Sequence, residues 1–101
     1  VGGLLFSFKR IQVPANGEIE LGFLAGIFVV QLPSETHNLS MALLQNNNAG
    51  NVLVQYSRIS YFNEGEYITI YKKEEGGSWF AKNSTGGIIA VNYSAIVLYQ
   101  G

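Results

Sequence analysis

The sequence predicts an all-β domain: an antiparallel β-sandwich, jelly-roll-like, of about eight strands. Three observations predict it. Apolar and polar residues alternate with a period of two through most of the chain, Gly- and Asn-containing turn signals recur roughly every eight to twelve residues, and no segment sustains a helical period. At 101 residues the chain has room for one hydrophobic core, so residues 1–101 are read as a single domain.

The first strand signal is Leu4, Phe6 and Phe8 alternating with Leu5, Ser7 and Lys9. The apolar phase then shifts to Ile11 and Val13, which predicts a bulge near Lys9 or Arg10. Pro14-Ala15-Asn16-Gly17 carries turn chemistry, because Asn and Gly tolerate positive φ, and Ile19, Leu21 and Phe23 follow in alternation. The two segments are expected to form a hairpin. Ile27 to Leu32 is apolar in both phases, as in a strand covered on both faces or one that meets another subunit. Pro33 ends it, and Ser34 to Asn38 reads as a polar loop. Leu39 to Gln45 is a second apolar run, read as a strand or a helical turn, although it is too short for a convincing helix. Asn46 to Asn51 is a polar turn. Four further strands are expected at Val52–Phe62, Tyr67–Lys73, Ser78–Asn83 and Ile88–Tyr99, each divider between them containing Gly.

Charged residues make up only 13% of the chain, about half the usual share. A small domain exposes much of its surface, so this surface must be covered by Asn, Gln, Ser, Thr and Tyr or be buried against a partner. Self-association is the expectation. The six basic residues are scattered and the net charge is −1, which argues against a nucleic-acid partner. No Cys is present, so disulfides and thiolate chemistry are excluded. No run approaches the ~20 apolar residues of a membrane-spanning helix, and no membrane insertion is expected. The strand pattern starts at Leu4 and runs to Tyr99, close to both ends, and predicts a domain excised from a longer chain.

Catalytic groups are scarce. There is no Asp and one histidine, His37, which leaves acid–base work to seven Glu residues. Glu18 with Glu20, and Glu64 with Glu66, lie two apart and so share a strand face, an arrangement that paired carboxylates can use but that an exposed strand also produces. Ser34, Glu35 and His37 share one loop with too few ligands for a metal. The chain is read as no enzyme, with no cofactor and no metal. Gly76-Gly77 and Gly86-Gly87 open no helix and are read as turns rather than phosphate cradles. Three Asn-X-Ser/Thr sequons, at Asn38, Asn83 and Asn92, are read as incidental, the last because its strand should be buried.

Aromatic residues are the clearest functional signal. Tyr61, Phe62, Tyr71, Trp79 and Phe80 cluster in the second half, where rings fill a core or stand out to stack on sugars and anchor interfaces. Tyr61, Asn63 and Trp79 are the candidate ligand-binding residues.

Tyr67-Ile68-Thr69-Ile70-Tyr71, then Trp79 through Gly86 (Trp-Phe-Ala-Lys-Asn-Ser-Thr-Gly), then Ala95-Ile96-Val97-Leu98-Tyr99, resemble the tip and receptor-binding domains of bacteriophage tail fibres. The likeness covers about the last forty residues and is one of style, short Gly-punctuated strands rich in Asn, Ser and Thr. It implies a virion or extracellular β-sandwich that trimerises through apolar strand faces and presents loops to a host glycan or protein receptor. The competing expectations are a monomeric carbohydrate-binding module of a secreted enzyme and a purely structural subunit.

Overall fold

The computed structural model describes residues 9–33 and 38–99. Nine strands run through them: β1 (Lys9–Val13), β2 (Glu18–Glu20), β3 (Ala25–Gln31), β4 (Leu39–Leu44), β5 (Gly50–Val54), β6 (Ile59–Tyr61), β7 (Ile68–Lys72), β8 (Trp79–Asn83) and β9 (Ile89–Tyr99). They form a β-sandwich of a five-stranded sheet, β1-β9-β3-β4-β5, and a four-stranded sheet, β2-β8-β7-β6. All pairs are antiparallel except β6 and β7, which are parallel. The earliest strands pair with the latest, β1 with β9 and β2 with β8, so the chain wraps around its own middle.

The period-two pattern sets the two inner faces. Phe28 and Val30 of β3, Ala42 and Leu44 of β4, and Ile89 and Val91 of β9 point inward from the larger sheet. Ile59 of β6, Ile68 and Ile70 of β7, and Trp79 and Ala81 of β8 meet them from the smaller one. Leu21 and Phe23 also join the core, although β2 ends at Glu20.

Two expected connections are made differently. The turn at Pro14–Gly17 exists, closed by the Gly17 amide donating to the Pro14 carbonyl with Asn16 at a φ of 55°. It joins no hairpin, because β1 lies in one sheet and β2 in the other. Asn16 donates to the Thr85 carbonyl at 3.0 Å, so the turn is tied to the β8–β9 connection and carries the chain across the end of the sandwich. The expected strand Val52–Phe62 is likewise two strands in different sheets, divided at Gln55–Arg58, where the Ile59 amide donates to the Tyr56 carbonyl. No Gly or Pro marks that division.

Leu39–Leu44 is a strand, not a helical turn. The register of β1 against β9 is unbroken from Lys9 to Val13; Leu4 to Phe8 lie outside the described residues. A register shift does occur at Ala25/Gly26 against β9. A Cβ on Gly26 would sit 2.2 Å from the Ile96 carbonyl oxygen, so only glycine fits this close approach.

Polar side chains pin one sheet to the other through the core. The Trp79 indole N–H is shared between the carbonyls of Leu24 (3.0 Å) and Gln45 (3.1 Å). Asn83 donates to the carbonyls of Val13 (3.0 Å) and Gly87 (2.7 Å) while its Oδ1 accepts from the Thr85 amide and hydroxyl. The Tyr93 hydroxyl donates to the Leu21 carbonyl at 2.8 Å. Among the described residues no buried side-chain N or O lacks a partner.

Candidate functional site

The sequence-predicted trio does not assemble at a surface. Trp79 is fully buried on the inner face of β8, with Phe62 edge-on at 6.1 Å between centroids and the Lys72 ammonium 5.4 Å from its ring centre. Tyr61 is buried on β6, and its hydroxyl meets that of Ser40 at 2.7 Å. Burial pushes the Tyr61 phenol up to about 12. Asn63 is exposed on the β6–β7 connection, its amide donating to the Tyr61 carbonyl. Rings enclosed in this way offer no open face for a sugar to stack on. Ser34, Glu35 and His37 lie outside the described residues.

The outward faces of the two sheets differ in chemistry. On the larger sheet, Ile27 lies between Leu43 and Ile96, Val29 between Met41 and Ser94, and Gln31 between Leu39 and Asn92. Leu39 is 53% exposed, Ile96 44% and Leu43 38%, values high enough to make this an open apolar surface and not an extension of the core. Val54, opposite Met41, continues it to the sheet edge. Arg10, held by Asn92 at 2.7 Å, is the one charged side chain among the described outward positions of this sheet. A shallow depression of about 200 Å³ lies between Val29, Gln31, Leu39, Asn92 and Ser94. Contiguous exposed apolar side chains of this kind are often functional on a monomer.

The strand edges are also unequal. β1 begins with Lys9-Arg10, β2 is three residues long with two Glu, and β6 is three residues long. Short strands and charges are the usual guards against edge pairing. β5 (Gly-Asn-Val-Leu-Val) is five residues long and uncharged, with Leu53 53% and Val54 47% exposed; a bulge opposite Met41/Ala42 is its one guard.

The outer face of the smaller sheet is polar and aromatic. Glu18 and Glu20 of β2 stand beside Lys82 and Phe80 of β8, and these beside Thr69 and Tyr71 of β7. The Tyr71 hydroxyl donates to Glu18 Oε1, and the Lys73 ammonium pairs with Glu18 Oε2. These bonds hold the Glu18 carboxyl below its usual range, Lys73 first and Tyr71 second. Desolvation, and then the Glu18 bond, push the Tyr71 phenol up to about 12. Lys73 also lies over the Phe80 ring, 4.4 Å from its centre, and the Tyr71 and Phe80 rings are 6.1 Å apart. Lys82 pairs with Glu64 at 3.2 Å beside a depression of about 100 Å³ bordered by Thr69, Tyr71 and Phe62. No sequence signal separated the outward Tyr71 and Phe80 from the inward Trp79, because that choice is made by strand register.

Among the described residues no three His, Cys, Asp or Glu side chains stand close enough to hold a metal ion, and no helix is long and apolar enough to cross a membrane. Comparison of the chain with family models, curated proteins and solved structures finds no match.

Proposed function

We propose that this domain is a non-catalytic assembly and binding module, and that its copies associate with one another through the outer face of the five-stranded sheet. The observation that carries the reading is that face itself: Ile27, Val29, Leu39, Met41, Leu43 and Ile96 side by side, with one charge at its margin. Two further observations support a second copy as the occupant. Among the described residues the face carries no charge pattern that a different, charged partner would match, and it runs into β5, the one described strand edge guarded by neither charge nor shortness. The resemblance to tail-fibre tips supports extending the reading to a homotrimeric virion fibre or baseplate module that meets a receptor on the host surface.

A second reading, a monomeric carbohydrate-binding module, is favoured by one observation, the half-buried Tyr71 and Phe80 on the opposite sheet. Leu43→Lys and Ile96→Lys separate the two. Both side chains are exposed, so the substitutions leave the core intact. Sedimentation velocity is expected to show a multimer for the parent chain and a folded monomer for the double variant. A parent and variant of identical, monomeric sedimentation contradict the assembly reading.

A further inference from the structure

We infer that the outer face of the four-stranded sheet is a binding platform for a neutral oligosaccharide, with Tyr71 as the stacking ring and Lys82 and Glu64 as the hydroxyl-binding groups. The inference goes beyond the assembly reading and stands whether or not copies associate, because it uses the opposite side of the sandwich.

The geometry of Tyr71 comes first. Its strand, β7, is separated from β2 by β8, and Tyr71 is level with Glu20, two residues along from Glu18, so about 12 Å of sheet lies between Tyr71 and Glu18. A tyrosine whose hydroxyl reaches that carboxylate lies down across β8 instead of standing off the sheet. Both the hydroxyl anchor and the Phe80 ring beside it hold it there, along the border of a depression that it shares with Thr69 and Lys82. The Phe80 ring is covered by the Lys73 ammonium, whereas Tyr71 borders the depression. A ring fixed before the ligand arrives loses little conformational entropy on binding.

Polar groups border the same depression as this ring. The depression beside Tyr71 is bordered by Lys82 and Glu64, whose side chains are 34% and 59% exposed and already paired at 3.2 Å. An ammonium donates and a carboxylate accepts, the pair of functions that adjacent sugar hydroxyls require.

Charge selects the ligand. Glu18 is matched by Lys73 and Glu64 by Lys82, and Glu20 stands beside Phe80, so the face has no positive surplus around Tyr71. An anionic glycan or a phosphate would find a carboxylate beside every ammonium. An uncharged polyhydroxylated ring meets no such opposition.

The test is titration of the isotope-labelled full chain with neutral hexaoses of glucose, mannose, galactose and xylose, each to about 10 mM, ten times a millimolar dissociation constant. Amide and aromatic resonances report the site, and diffusion measured on the same samples reports self-association separately. At least one hexaose is expected to shift Tyr71, Phe80 and Lys82 together and saturably. Tyr71→Ala is expected to weaken that binding about tenfold or more, and Tyr71→Phe, which keeps the ring and loses its anchor, about two- to threefold. Lys82→Gln, a substitution on a partly exposed side chain outside the core, is expected to weaken it several-fold. Absence of a saturable shift with all four sugars overturns the inference. So do shifts confined to another surface, or a Tyr71→Ala chain with a dispersed spectrum and parental affinity.

Discussion

The hydroxyls of Ser40 and Tyr61 meet at 2.7 Å across the interior and join β4 of one sheet to β6 of the other. Ser40 has a single proton, which it donates to the Val54 carbonyl at 2.8 Å, so Tyr61 is the donor in the pair. Removing one partner therefore has unequal effects. Tyr61→Phe leaves a serine oxygen short of one hydrogen bond, for about 1 kcal/mol, whereas Ser40→Ala strands both a buried phenol and the Val54 carbonyl, for about 2–3 kcal/mol. The double variant is expected to lose less than the sum, and a denaturant double-mutant cycle checks the order and the coupling.

Stability is expected to fall on the alkaline side. Tyr61 and Tyr71 both rise from 10.0 to about 12 in the fold, so between those values the unfolded chain loses phenolic protons that the native one keeps. Their contribution is complete below pH 10 and declines toward pH 12. Glu18 acts in the opposite window: its carboxyl is lowered from 4.5, so its contribution is present above that value and fades as pH falls through the lowered one. Tyr93, also raised by burial, adds to the same late group. Chemical denaturation across pH, with tyrosinate absorbance followed in parallel, should show one late-ionising phenol fewer in Tyr71→Phe than in the parent chain.

The single tryptophan reports on the core. Trp79 is wholly buried and hydrogen-bonded to two carbonyls. Its native emission is expected to be blue-shifted and resistant to soluble quenchers, including in the presence of any saccharide. Trp79→Phe leaves a void and two carbonyls without their donor, for about 2–4 kcal/mol, measured as a lower denaturant midpoint.

Asn83 is a second keystone of the same kind. It uses both amide protons and its carbonyl to fasten β1 and the β8–β9 turn. Asn83→Ala is expected to destabilise by about 2–4 kcal/mol. Asn83→Asp replaces two donors with a carboxylate facing two carbonyls, and a thermal melt should show it to be the more damaging change.

The strand content was legible in the sequence because the period-two spacing of apolar residues survives at Ile68–Lys72, Trp79–Asn83 and Ile89–Tyr99. The sheet-to-sheet crossings were not. Pro14–Gly17 has hairpin chemistry yet joins different sheets, since a turn motif specifies local dihedrals and not which strand pairs with which. Gln55–Arg58 crosses between sheets without Gly or Pro. At the candidate site, the aromatic cluster was visible but its division between core and surface was not: Trp79 and Phe80 are neighbours in sequence and point to opposite faces. The doubly apolar pattern of Ile27–Leu32 reflects one face in the core and one half-open face, on which the assembly reading rests.

Solution mass by light scattering across a dilution series tests that reading most directly. The expected result is a concentration-dependent multiple of 11.1 kDa, three in the trimeric case, that collapses to a single chain in Leu43→Lys/Ile96→Lys. A mass of one chain at every concentration of the parent protein would contradict it.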